Sequence, residues 1–280
     1  MRKNEKINIV LCTDFNYLDP LVTLMKSVCY HHSNVKFYIF HKTLASEWFE
    51  NIDSKLKKLS KGRVEVENVF VKTDNFKEFK TLDYISEVTY YRYLIQFLEE
   101  DRVLYIDSDV IVDGSLEDIY FSDFKENYIC AVPDFVLNHD KCEHSYKEFP
   151  NMKPYFNAGF MLINNKLWKE KNLVQTLYYL TENCKNAIYA DQDILNIALK
   201  NGWKALDKKY NYQVHAGDSL KNLGVDYNMR KELNEGFKPV VIHYTSIKKP
   251  WKNNYYDIIF REKYWFYNQL SWEEIFKNKR

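Results

Sequence analysis

The sequence predicts an α/β fold in which a mainly parallel central sheet carries helices on both faces. Strand-like and helix-like segments alternate through the first two thirds of the chain, in the βαβαβ order that such sheets require. At 46% hydrophobic the 280 residues can bury a sizeable core. No repeat, low-complexity tract or Pro/Gly-rich linker interrupts the alternation, so one domain is expected over residues 1–251. An aromatic and basic segment, residues 252–280, is expected to pack on it or extend from it.

Taken in order, residues 7–12 (INIVLC) read as a strand. Residues 20–31 read as a helix with Leu21, Leu24, Met25 and Val28 on one face. Residues 35–40 are a strand, and 47–59 are amphipathic with Trp48, Ile52, Leu56 and Leu59 aligned. Residues 64–70 are a strand, 89–98 a helix and 103–106 a strand, with a short helix at 116–120. Further strands are expected at 129–132, 159–163 and 240–244, and further helices at 167–181 and 193–201. The N-terminal apolar run is too short for a signal peptide, and no segment approaches the roughly 20 apolar residues of a membrane span.

Lys+Arg (40) and Asp+Glu (39) nearly cancel, which argues against a nucleic-acid partner. The seven glycines form neither GxGxxG nor GxxxxGK[ST], which argues against a dinucleotide loop or a P-loop. Five scattered cysteines without a CxxC fit free thiols in a reducing cytoplasm. The group His139, Cys142 and His144 has no partner pair to complete a metal site. The 23 tyrosines suit stacking on sugars, but a Lys/Asn/Ile/Tyr composition bias explains them as well.

The stretch 104-LYIDSDVIVDG-114 places Asp107, Asp109 and Asp113 behind an apolar strand. If the strand continues, Asp107 and Asp109 point to one side. At roughly 6 Å and an effective dielectric of about 20, their repulsion is on the order of 3 kcal/mol, so a positive partner is expected. A DxD pair at a strand end offers hard oxygen ligands to Mn²⁺ or Mg²⁺, whose sphere a diphosphate can complete. Aspartates capping a strand end are the plainer reading of the same residues.

Four other stretches add to the DxD: 12-CTDFNY-17, 155-YFNAGFMLIN-164, 190-ADQDILN-196 and 243-HYTSIKKPW-251. With these, the chain resembles glycosyltransferase family eight, the retaining enzymes of GT-A fold, in order from about Ile7 to Trp251. The resemblance implies that Cys12, Asp14 and Asn16 line a uridine and ribose pocket and that Arg92 helps hold the donor sugar. It implies that Asp107, Asp109 and His243 bind Mn²⁺, with Mg²⁺ weaker, and that Ser108 lies near the ribose. Asn157, Ala158, Asp191 and Gln192 would surround the donor hexose, with Asp191 and Gln192 nearest the chemistry. Ser246 and Lys249 would contact the diphosphate. Two departures stand out: Ser246 replaces a usual glycine, and Tyr84 stands where relatives often carry another polar residue.

The implied reaction moves galactose or glucose from UDP-galactose or UDP-glucose to a glycan, glycolipid or glycoprotein, with retained configuration. Gln192 is a poor nucleophile, which favours same-face attack over double displacement. The implied place is the cytoplasm, at most the inner face of the membrane, with membrane contact limited to a weak peripheral one. His243 and Lys249 converge only if the turn between them folds over the diphosphate, and lysines 248, 249 and 252 are expected to repel each other until a donor closes it. Two rival readings remain: a haloacid-dehalogenase-type phosphatase, whose class places its DxD on an early strand, and a non-catalytic protein binding a UDP-sugar or glycan.

Overall fold

The apolar run INIVLC forms β1 (Ile7–Cys12), which pairs in parallel with both β2 (Val35–His41) and β4 (Arg102–Ile106). β3 (Val64–Phe70) extends the parallel array beyond β2. The computed structural model describes residues 5–73, 76, 79, 86–146, 149–184, 187–252, 254 and 257–277, so Tyr84 lies outside the described residues. On the other side of β4 come β7 (Phe156–Asn164), β6 (Ile129–Pro133) and β8 (Trp203–Ala205), giving the order β3-β2-β1-β4-β7-β6-β8. Only β7 runs antiparallel to its neighbours, so the seven-stranded sheet is mainly parallel as expected.

Alternate residues of these strands feed two apolar layers. Ile9, Leu11, Leu104, Ile106 and Leu162 pack beneath α1 (Leu18–His31) and α2 (Ser46–Ser60). Val10, Val103, Tyr105, Met161 and Ile163 pack against the opposite layer. That layer contains α5 (Leu173–Asn183), α6 (Ala190–Ala198) and the segment Glu87–Phe97.

Four expected helices differ in detail, the one expected at 193–201 lying three residues earlier as α6. Glu87–Phe97 winds as a 3-10 helix rather than an α-helix. That winding stacks residues three apart, which sets Thr89 above Arg92. The expected helix 167–181 is two helices, α4 (Asn165–Glu170) and α5, because Asn172 adopts a left-handed φ of 48° between them. Asn tolerates that conformation better than most residues. In α2 the buried face is Phe49, Ile52 and Leu56, while Trp48 and Leu59 are only partly covered.

A second, small sheet positions the chemistry. β10 (Val241–His243) pairs antiparallel with β5 (Val110–Val112) and parallel with β9 (Tyr212–Gln213). The register sets His243 opposite Val110, and Tyr244 N–H donates to the Asp109 carbonyl at 3.0 Å. The far end of the chain is thereby brought beside the DxD. Among the described residues of residues 252–280, α9 (Arg261–Gln269) packs on α1 through Tyr264 and Tyr267. Trp272, Ile275 and Phe276 of α10 (Trp272–Lys277) enter the α1–α2 layer. Among the described residues no helix is long and apolar enough to cross a membrane.

Candidate active site

The acidic stretch divides its three carboxylates. β4 ends at Ile106 and residues 108–109 form a turn, so the two DxD carboxylates converge across a turn and not along an extended strand. Asp107, Asp109 and His243 each offer one ligand atom, and these atoms lie within 4.8 Å of one another. Asp113 faces away: its carboxylate accepts from Tyr267 Oη at 2.5 Å and pairs with Lys263 at 3.0 Å, tying down α9.

Two buried cations balance the site. Arg92 Nη2 lies 3.1 Å from Asp107 Oδ1, and its Nε lies 2.9 Å from Asp191 Oδ2. Arg92 Nη1 donates to the Ala158 carbonyl at 2.8 Å, and the guanidinium sits 4.3 Å from the centre of the Tyr105 ring. Tyr105 Oη also donates to Asp107, as two residues on one strand face can. Lys249 Nζ reaches Asp109 Oδ2 at 2.6 Å and the Tyr244 carbonyl at 2.7 Å. Three carboxylates (107, 109, 191) against these two cations leave one excess negative charge. Burial would raise Asp109, but the Lys249 ammonium holds it well below the usual carboxylate range. Burial raises Asp191 to about 6 against the pull of Arg92 and of the Thr89 hydroxyl, which donates to it.

The other expected residues gather around a cleft of about 480 Å³ at the carboxyl ends of β1 and β4. Cys12 and Ser108 form one wall, joined by a 3.0 Å bond from Ser108 Oγ to the Cys12 carbonyl. Burial pushes the Cys12 thiol up. Asp14 lines the cleft while capping the following turn through Asn16 N–H and Tyr17 N–H. Asn16 itself is exposed and is not among the residues lining the cleft. Asn157, Ala158, Asp191 and Gln192 line the opposite wall, where Gln192 Oε1 accepts from Ala158 N–H at 2.9 Å. Ser246 lines the rim at φ 81°, the left-handed region that favours glycine.

Within the turn 245–249 the chain itself supplies counter-charges for Lys248 and Lys249, where repulsion was expected. Asp109 supplies the counter-charge for Lys249, Asp218 pairs with Lys248 at 2.9 Å, and Pro250 is buried. Trp251 packs edge-on to Tyr17 and against Tyr264. His144, from the loop group weighed as a metal site, pairs instead with the buried Asp193 at 2.7 Å.

Comparison with known proteins fits this geometry. The family described as Glycosyl transferase family 8 matches residues 8–255. The chain belongs to this family. It is 35% identical to "Glycosyltransferase GlyB" of Streptococcus pneumoniae serotype 4 over 97% of this chain, but it spans only 64% of that protein. It is 26% identical to "General stress protein A" of Bacillus subtilis over 98% of both chains. The apo-form structure of GlyE from S. pneumoniae superposes with a TM-score of 0.80 at 29% identity, covering 98% of this chain and 63% of that one. The galactosyltransferase LgtC, solved with donor and acceptor sugar analogues, gives 0.76 at 25% identity, covering 98% and 100%. The fold of this family 8 member is thus GT-A, and the family match leaves the phosphatase reading without support.

Several residues that shape the site carry no motif. Asn211 Oδ1 lies 2.9 Å from His243 Nδ1. Gly159 leaves room for the imidazole, since a Cβ there would lie 2.2 Å from His243 Cε1 and 2.8 Å from Asp107 Oδ2. Thr89 and Tyr105 flank Arg92. A signal for Asn211 existed: in 210-YNYQVH-215 the polar residues Asn211, Gln213 and His215 alternate with apolar ones, and the latter two line the cleft.

Proposed function

We propose that this family 8 member transfers galactose or glucose from a UDP-sugar to a hydroxyl of a glycan, glycolipid or glycoprotein, with retained configuration. The convergence of Asp107, Asp109 and His243 at the floor of the cleft carries this reading. The residues fit a divalent cation. Asp109 Oδ1 is buried without a hydrogen-bond partner, the cluster holds one excess negative charge, and the donor set of two carboxylates and one imidazole suits Mn²⁺ better than Mg²⁺. Bound there, such an ion would act as a Lewis acid on the departing diphosphate.

The remaining work falls to the chain's own groups. Lys249, fixed beside Asp109, presents positive charge where the leaving group becomes negative. Cys12, Asp14 and Ser108 line the side assigned to uridine and ribose, with Ser246 at the diphosphate rim. Arg92 holds Asp191 and the Ala158 carbonyl in place, and Asn157, Ala158, Asp191 and Gln192 orient the hexose. Gln192 spends its carbonyl oxygen on the Ala158 N–H, which supports same-face attack. The acceptor oxygen bonds to the anomeric carbon as the bond to the diphosphate breaks, and the departing phosphate oxygen takes the proton. The donor class assigns the reaction to the cytoplasm, at most to the inner membrane face. The relationship to LgtC, named a galactosyltransferase, favours galactose without excluding glucose.

Saturation-transfer NMR with UDP-galactose, UDP-glucose and a phosphomonoester, each with Mn²⁺, tests this reading. Saturation of the uridine and of one hexose, with turnover of that sugar nucleotide, is expected. Binding without turnover would favour a sugar-binding protein, and hydrolysis of the phosphomonoester a phosphatase.

A further inference from the structure

The nitrogen that His243 offers to the DxD is not left to chance by its surroundings. Four buried polar residues from separate parts of the fold form a continuous chain of hydrogen bonds: Asp134, Asn157, Asn211 and His243. The Asp134 carboxylate receives the Val136 and Leu137 N–H groups on Oδ1, at 3.1 and 3.0 Å, and Asn157 Nδ2 on Oδ2 at 3.1 Å. Asn157 Oδ1 accepts the Gly159 N–H at 3.1 Å and Asn211 Nδ2 at 2.9 Å. Asn211 Oδ1 meets His243 Nδ1 at 2.9 Å.

The direction of every link follows from its ends. A backbone N–H can only donate and a carboxylate can only accept. Asn157 therefore cannot be flipped, because its amide nitrogen would then face the Gly159 N–H and its oxygen the Asp134 carboxylate. With Asn157 Oδ1 fixed as an acceptor, Asn211 must turn its NH₂ toward it and its oxygen toward His243. The imidazole can satisfy that oxygen only with a proton on Nδ1.

We propose that Asp134, Asn157 and Asn211 act as a one-way relay that fixes the tautomer of His243, so that the neutral ring keeps its proton on Nδ1 and turns a bare Nε2 toward Asp107 and Asp109. The proposal rests on the metal-binding reading above and assigns Asp134 and Asn211 as positioning residues. Nε2 lies 3.2 Å from Asp109 Oδ1 and 3.9 Å from Asp107 Oδ2. A lone pair facing two carboxylates is an unfavourable arrangement on its own, and a cation between the three groups relieves it. Outer hydrogen bonds of this kind set which imidazole nitrogen coordinates. The relay also joins the main sheet, which carries Asn157, to the small sheet, which carries His243.

The test is to label the seven histidines with ¹⁵N and assign the His243 ring by its loss in His243→Gln. The spectrum is recorded without metal at a pH where the ring holds one proton. The relay requires a pyrrole-type Nδ1 and a pyridine-type Nε2, opposite to the form that dominates in free histidine. Asn211→Leu should shift the proton toward Nε2 and weaken Mn²⁺ binding, followed by electron paramagnetic resonance, by about 10- to 100-fold. A wild-type ring protonated on Nε2 overturns the relay, and this arm needs no variant to fold. Equal Mn²⁺ affinity in folded Asn211→Leu overturns it too. If the wild-type protein binds no Mn²⁺, the metal reading fails, while the tautomer still decides the relay.

Discussion

Asp109 is bonded to Lys249, and that pairing changes what its removal should do. From the sequence, deleting one of two like charges at a strand end looks harmless to the fold. In the structure Asp109→Ala strands a buried ammonium, and breaking such a pair costs about 3–5 kcal/mol. Urea unfolding should show that loss, with much of it regained in Asp109→Ala/Lys249→Met, while transfer falls by about 10²–10³ in the single variant. Unchanged stability in Asp109→Ala would mean that the pair contributes nothing. Gly159→Ala drives a methyl into the His243 ring and should abolish Mn²⁺ binding while far-ultraviolet circular dichroism stays native. Tight Mn²⁺ binding by that variant would show that the ring can move aside. Asp191 titrates near 6 because burial outweighs Arg92. A carboxyl raised above its unfolded value of about 3.9 favours the folded state when protonated, so this contribution is lost as pH rises toward 6. Wild-type protein should therefore lose stability relative to Asp191→Asn over that window, and parallel stability curves for the two would contradict the shift. At this scale the motif-bearing residues Asp107, Asp109, His243 and Lys249 were legible. Arg92 as the bridge between two carboxylates, Asn211 and Gly159 were not, because their roles depend on partners that only tertiary packing supplies.

Turns and segment ends decide the element scale. β1 and β3 lie where the sequence predicts them, because the mainly apolar INIVLC and the alternation of Val with Glu in VEVENVF are both strand patterns. α4 and α5 read as one helix because an apolar helical period cannot reveal that Asn172 turns left-handed. β9 leaves no such pattern, since it has two residues and acquires its identity from β10 beside it. The turn after β10 offers a direct test. Ser246 at φ 81° carries a strained backbone, and Ser246→Gly should relieve it by on the order of 1 kcal/mol, raising the urea midpoint. A lower midpoint would show that the Ser246 Oγ contact with Lys248 N–H, at 3.3 Å, outweighs the strain.

For the whole molecule, the parallel sheet sets the cleft at the ends of β1 and β4, and the C-terminal helices complete the core beneath it. Tyr264, Tyr267, Trp272, Ile275 and Phe276 are buried, and each such side chain is worth about 1.5–3 kcal/mol. Ending the chain at residue 251 would remove them all, a loss comparable with the 5–15 kcal/mol that holds a typical domain together. That truncation should not fold, whereas a native, cooperative melt from it would make the C-terminal segment a separate addition. The alternation of the first hundred residues made this sheet readable. The packing of the final helices against α1 was not, because nothing in their local pattern names the face they cover. The cleft formed by these layers is proposed as a metal-dependent UDP-sugar site. Release of UDP from UDP-galactose and UDP-glucose, measured with Mn²⁺, with EDTA and in Asp109→Asn, tests it most directly. Release with Mn²⁺, loss in EDTA that added Mn²⁺ restores, and a deep loss in Asp109→Asn are expected; full release in EDTA or from Asp109→Asn would contradict a metal-dependent site.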